Sequence, residues 1–444
     1  MKTIVNFKNI NKLAIPATIA GIAEPLLSIT DTAIVGNIPE NGLESLAAAG
    51  IVGSFLSMMI WILGQTRSAI SAIISQYLGA GRIAEVKALP AQAIFFNILL
   101  SIVLLLSTIF VIEEIFMLLE AKGKILELCV SYYSIRVWGF PLTLFTFAIM
   151  GIFRGLQNTY WPMLIALVGA VLNIFLDFIF VYGIEGILEP MYLEGAAWAS
   201  LIAQAIMAIM AFVLLVVKTD ISLRLRFPFH PELGRLVVMS LNLFVRALAL
   251  NVALILAVRE ATFLGDRYIG AHTIAINIWL FSAFFIDGYG AAGNIMGGKL
   301  LGEREYDNLW KLAKKIMQYG LVVSVILMIL GFVFYYPIGR LFSNETIVLE
   351  TFYSVFFILI LGLPMNAVAF IFDGLFKGLG EMKYLRNTLL VATFLGFIPT
   401  LYLSKYLGWG FSGIWIAFVI WMLIRGGALI FKFRGKFRPL LQKT

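Results

Sequence analysis

Long apolar runs separated by short polar clusters set the pattern of this 444-residue chain. Runs able to cross about 30 Å of hydrocarbon, roughly 20 residues each, fall near 13–37, 46–77, 88–112, 126–153, 161–183, 195–217, 236–258, 268–298, 312–336, 349–375, 385–406 and 410–431. Runs such as Ile98 to Ile112 are apolar on every side, whereas a barrel strand alternates. The pattern predicts an all-α membrane protein with twelve transmembrane helices.

The runs repeat. GFPLTLFTFAIMGIFRGLQ at 139–157 and GLPMNAVAFIFDGLFKGLG at 362–380 share Gly139, Pro141, Gly151, Phe153, Gly155 and Leu156 with residues 223 positions later, without a gap. The same offset carries Lys12-Leu13 onto Arg235-Leu236, Ala48 onto Ala271 and Leu78-Gly79 onto Leu301-Gly302. A tandem duplication of six helices starts and ends each copy on one side of the membrane. The copies must then share an orientation, related by a pseudo-two-fold axis along the membrane normal, with the working site at or near their interface. The expected organisation is an N-terminal six-helix lobe at 1–218, a cytoplasmic inter-lobe loop at 219–235 and a C-terminal six-helix lobe at 236–444.

Composition agrees with this reading: 61% of residues are hydrophobic, 13% are charged, and mean hydropathy is +0.96. With the amino terminus in the cytoplasm, 23 of the 33 Lys and Arg fall on the cytoplasmic side, as the positive-inside rule requires. Both termini are therefore expected in the cytoplasm of a cell whose inner membrane holds the protein as a multi-pass chain. The net charge of +8 reflects topology and contact with anionic lipid, and no nucleic-acid partner is expected. Cys129 is the only cysteine, which rules out an internal disulfide and a cysteine metal cage. The first apolar run lacks a small-residue cleavage site and is expected to remain in the mature protein.

Ionisable groups inside apolar spans are costly and mark function by default. The first helix carries Glu24 and Asp31, seven residues apart on one face, and the fifth carries Asn173 and Asp177 at i, i+4. A buried carboxyl group can take up and release a proton, and its hard oxygens can hold a monovalent cation such as sodium. At the 223-residue offset the second copy has Leu254 and Thr400 in place of Asp31 and Asp177, so the acidic site is confined to the first. The second copy instead has Asp287 and Asp373, candidates for substrate contact or gating. Pro16 is a candidate bend in the first helix. The pairs Gly151/Gly155 and Gly374/Gly378 permit close helix packing.

Other chemistry is poorly represented. GNIMGGKL at 293–300 ends in Leu where a phosphate-binding loop needs Ser or Thr, and no strand precedes it. His230 and His272 are read as loop or helix-end residues without metal-ligand spacing, and no nucleophile elbow is present. The chain is not expected to be an enzyme or to carry a cofactor.

AIPATIAGIAEPLLSITDTAIVG, RVWGFPLTLFTFAIMGIFRGLQNTYWP, LNIFLDFIFVYG and DGLFKGLGEMKYLRN together resemble the MATE family, the multidrug and toxic compound extrusion transporters, over essentially the whole length. TDTAIVG and the Asp-Gly pairs at 287–288 and 373–374 resemble its DinF-like branch. The resemblance implies a cation site at Asp31, Asn173 and Asp177, completed by a sixth-helix hydroxyl at Ser200, with Glu24 standing where a neutral residue is expected. It implies exchange of proton or sodium for small organic compounds, often cationic or amphipathic, by a monomer among membrane lipids, with the first helix bending at Pro16. The competing readings are a lipid-linked oligosaccharide flippase of the same superfamily, which calls for a strongly cationic cavity, and a membrane-embedded transferase, whose motifs are missing.

Overall fold

The computed structural model describes residues 3–39 and 42–441; within the first helix the side chains of Glu24, Pro25, Ser28 and Ile29 lie outside the description. The described residues form seventeen α-helices and no named strand. In chain order these are α1 (Phe7–Gly36), α2 (Gly42–Leu63), α3 (Thr66–Gly79), α4 (Leu89–Ile109), α5 (Ile112–Leu118), α6 (Gly123–Arg136), α7 (Gly139–Gly155), α8 (Tyr160–Tyr182) and α9 (Tyr192–Lys218). There follow α10 (Pro231–Leu264), α11 (Asp266–Glu303), α12 (Tyr306–Val333), α13 (Tyr335–Arg340), α14 (Thr346–Gly378), α15 (Met382–Val391), α16 (Ile398–Tyr406) and α17 (Gly410–Phe437).

Each of the twelve apolar runs coincides with a helix or a linked pair. Ten stretches of described helix are long and apolar enough to cross a membrane, and the bent pair α6 and α7 makes eleven. The remaining long helix is α1, whose 30 residues extend about 45 Å at 1.5 Å per residue.

The repeat governs where helices begin. Short α5 and α13 start at Ile112 and Tyr335, and α6 and α14 start at Gly123 and Thr346, each pair 223 residues apart. The copies differ where one proline meets different surroundings. Pro141 lies in the first turn of α7, just after a 46° bend, whereas its counterpart Pro364 sits inside the continuous α14. Pro399, which has Leu176 as its counterpart, follows a six-residue π-turn at Ala392–Phe397. Proline withholds one N–H from the helical ladder, and a local widening of the turn redistributes the bonds.

The chain packs as two compact units. The carboxy-terminal unit comprises Met1–Thr18, Ser75–Gly81 and Val238–Thr444; the amino-terminal unit comprises Ile19–Ile74 and Arg82–Val237. The core of the amino-terminal unit centres on Phe55, Phe116 and Tyr133, with rings 5.7 to 6.1 Å apart. That of the carboxy-terminal unit centres on Phe352, Phe356, Trp415, Phe418 and Trp421.

Glycine pairs bring helices together in the same way in each unit. A Cβ at Gly151 or Gly155 would meet the Arg67 or Ser71 carbonyl of α3 at 2.8 and 3.2 Å; at Gly374 or Gly378 it would meet the Gly290 or Asn294 carbonyl of α11 at 2.2 and 2.1 Å. All four contacts are related by the 223-residue offset. Within the carboxy-terminal unit, the last turn of α3 crosses α11 reciprocally. A Cβ on Gly79 would strike the Lys299 carbonyl at 1.9 Å, and one on Gly302 the Gln76 carbonyl at 2.0 Å. Gly79 and Gly302 are repeat partners, as are Gln76 and Lys299. Such exchange of roles is what a two-fold axis produces at a contact.

Candidate functional site

Four of the residues expected from sequence to hold a cation, Asp31, Asn173, Asp177 and Ser200, come together inside the amino-terminal unit. Asn173 and Asp177 lie one turn apart on α8, so both point to one face. The neighbouring α9 approaches closely because Gly195 leaves room for the main chain of α8: a Cβ there would lie 2.5 Å from the Phe180 carbonyl oxygen. This places Ser200 beside Asn173. Ser200 Oγ donates to Asn173 Oδ1 at 3.4 Å, and Asn173 Nδ2 donates to Asp177 Oδ2 at 2.9 Å. Asn173, Asp177 and Ser200 are all buried.

Asp31, on α1, completes the group. Its carboxyl lies within hydrogen-bonding reach of that of Asp177. Asp31 Oδ1 and Asp177 Oδ1 are buried and meet no N–H or O–H donor among the described residues. Two ionised carboxylates this close repel unless a proton or a cation offsets their charge. The hydroxyl of Ser200 bonds to the Asn173 amide, and so positions the donor of Asp177.

Two residues of α6 join the site that sequence reasoning had not placed there. Arg136 is a charged neighbour of both carboxyls, and its guanidinium lies 5.8 Å from the centre of the buried Tyr132 ring. In the sequence Arg136 is a lone arginine inside the apolar run 126–153. Nothing along that run pairs it with a carboxylate, and only the fold brings it beside Asp31.

The remaining candidates are placed elsewhere. The Glu24 side chain lies outside the described residues. Pro16 is half-buried within α1, which continues through it as one helix. Asp287 is exposed on α11. Asp373 of α14 is buried and ion-paired: Arg246 Nη2 lies 2.5 Å from Oδ1, and Lys377 Nζ 3.0 Å from Oδ2. The expectation for His272 is corrected. It lies within α11, is buried, and is ringed by Phe411, Trp415 and Phe418 at 5.7 to 6.5 Å. The apolar residues around it continue past the histidine, which is why the helix does too.

A duplicated set of long apolar helices that buries polar and charged side chains is the architecture of a membrane transporter of the two-repeat class. The sequence profile of the MatE family matches the chain twice, over residues 16–179 and again over 244–403. The chain belongs to this family of multidrug and toxic compound efflux transporters, and it is not an enzyme. It is 27% identical to the DNA damage-inducible protein F of Escherichia coli strain K12, an alignment covering 96% of this chain and 92% of that protein. It is 30% identical to Protein DETOXIFICATION 43 of Arabidopsis thaliana over 66% of this chain and 54% of that protein. Its fold matches a solved MATE structure in the bent conformation with a TM-score of 0.90 at 22% identity, covering 98% of this chain and 96% of the other.

Proposed function

We propose that the protein is an antiporter of the inner membrane, with both termini cytoplasmic, that admits proton or sodium and exports small organic compounds, often cationic or amphipathic, by alternating access. The carboxyl pair Asp31 and Asp177 carries this reading, because its two donorless oxygens supply a site whose charge balance changes when a cation enters or leaves. When the cation departs, two close carboxylates repel, and the arrangement of α1 against α8 is disfavoured. Binding energy of the ion is thereby converted into a preference between conformations.

The first helix suits this role. Its amino-terminal part is tied within the carboxy-terminal unit: the Thr3 main-chain N–H and hydroxyl donate to Glu303, Lys315 donates to the Val5 carbonyl, and Tyr289 donates to Asn11. Membership of α1 changes units after Thr18, two residues beyond Pro16. A proline that removes one ladder bond at this point is where the segment carrying Asp31 can bend most easily.

The test is ethidium transport by the purified protein in proteoliposomes under separately imposed proton and sodium gradients. One gradient should drive uphill transport, and Asp31→Asn and Asp177→Asn, nearly isosteric but unable to titrate, should each reduce it about tenfold or more while the protein remains monodisperse. Well-folded variants that pump at the normal rate would overturn the assignment.

A further inference from the structure

A glutamine of α4 holds the segment between α9 and α10 in place. Gln92, fully buried, donates from Nε2 to the Arg226 carbonyl at 2.9 Å and accepts at Oε1 from the His230 N–H at 2.9 Å. Between these two bonds the chain carries Phe227 and Phe229, both exposed. Phe229 stacks on Phe95 of α4 with ring centres 6.2 Å apart, and the Phe227 ring centre lies 4.8 Å from that of Phe229. Phe95 is itself exposed, so three rings run without interruption from a membrane-spanning helix onto the loop.

The length of α4 sets the depth of that loop. Its 21 residues extend about 31 Å at 1.5 Å per residue, close to the thickness of the hydrocarbon, and Gln92 lies in its first turn. The loop is therefore at the boundary between hydrocarbon and headgroups. Tyr160 and Trp161 at the start of α8 and Lys218 at the end of α9 mark the same level. Lys218 Nζ lies 5.5 Å from a Trp161 ring centre, and such rings gather at membrane interfaces. Charge here is one-sided: Lys218, Arg224 and Arg226 face only Asp220 within residues 218–230. Arg224 and Arg226 are exposed and have no ion-pair partner among the described residues, whereas Arg82 and Arg235 are paired with Glu85 at 2.6 Å and Glu232 at 3.1 Å.

We propose that the segment 224–229 binds an anionic phospholipid, with Arg224 and Arg226 on the headgroup phosphate and Phe227 and Phe229 against the upper part of the acyl chains. A guanidinium fork matches a phosphate, and each cation at the membrane surface adds attraction to anionic lipid. Depth and the continuity of the rings with Phe95 single out a lipid over a soluble anion, which leaves the rings uncovered. The bound lipid ties to the membrane the loop that joins the two copies of the repeat. Which leaflet supplies it, the cytoplasmic one, rests on the proposed orientation; the binding itself does not.

The experiment is native mass spectrometry of the purified full-length protein in uncharged detergent, titrated with dioleoylphosphatidylglycerol or dioleoylphosphatidylcholine. Wild type should bind its first phosphatidylglycerol about tenfold or more tightly than phosphatidylcholine, and Arg224→Gln with Arg226→Gln should remove that preference. Phe227→Ser with Phe229→Ser should weaken the same lipid about threefold or more. Arg224→Lys with Arg226→Lys keeps the charge and should retain most of the binding, which guards against a variant that fails to fold. Arg434→Gln with Arg438→Gln removes equal charge from exposed arginines elsewhere and should change the first binding step by about twofold at most. Equal losses in the two glutamine pairs, or equal affinity of wild type for the two lipids, would overturn the proposal. So would displacement of phosphatidylglycerol by glycerol 1-phosphate at equal concentration, which would identify a free-anion site. No gradient is involved, so intact lipid binding with failed ethidium transport would count against the exporter reading alone.

Discussion

At the scale of single residues, the acidic site is a chain of donors ending on a carboxylate. Ser200 orients Asn173, and Asn173 satisfies one oxygen of Asp177. Their removal should have unequal effects. Asn173→Leu leaves a buried carboxylate oxygen without its donor, a loss of about 1–3 kcal/mol, and should lower gradient-driven ethidium transport by about tenfold or more. Ser200→Ala removes a long bond worth about 0.6 kcal/mol on average in membranes, and should reduce the same rate by about threefold at most. Equal losses in the two variants would show that Ser200 touches the ion directly. Asp31, Asn173 and Asp177 stood out in the sequence because they interrupt apolar runs. Arg136 interrupts the run 126–153 as well, but nothing along the chain pairs it with Asp31, and a tyrosine such as Tyr132 is common in membrane helices.

At the scale of helices, the spacing of four glycines reports a packing rule used twice. The sequence permitted close approach at Gly151/Gly155 and Gly374/Gly378, and the structure shows what approaches: a main-chain carbonyl of α3 or α11. Adding a methyl group at Gly374 brings it to 2.2 Å from the Gly290 carbonyl oxygen, a clash with backbone that no rotamer relieves. Gly374→Ala should destabilise the protein by about 1–3 kcal/mol or more and lower its thermal midpoint. Gly427→Ala meets nothing within 4 Å and should leave the midpoint unchanged or raise it slightly, because alanine is the better helix former. A larger loss for Gly427→Ala would contradict this account. The bend before α7 and the π-turn before Pro399 were legible only as prolines, because whether a proline breaks a helix depends on what replaces the missing bond. Pro141 and Pro364 occupy the same repeat position with different outcomes.

At the scale of the whole molecule, the basic residues predict an orientation that single cysteines can test. Native Cys129 is fully buried, so it should remain silent towards a membrane-impermeant maleimide. Ile187, 81% exposed between α8 and α9, should label in intact cells when changed to cysteine; Phe227, 70% exposed between α9 and α10, should label as Phe227→Cys only after permeabilisation. The reverse pattern would invert the topology. The sequence by itself determined the membrane class, the twelve spans and the duplication, because hydrocarbon thickness and the need to satisfy every backbone polar group leave an apolar run of this length one main solution. Tertiary structure decided which polar groups meet. Asp31 is 146 residues from Asp177, and Arg246 is 127 from Asp373; such pairings follow from how helices cross, which depends on side-chain volumes at glycine contacts rather than on periodicity along any one helix. The symmetry of the chain was therefore visible in one dimension, while the separation of an acidic cluster in one unit from a basic cluster in the other required three.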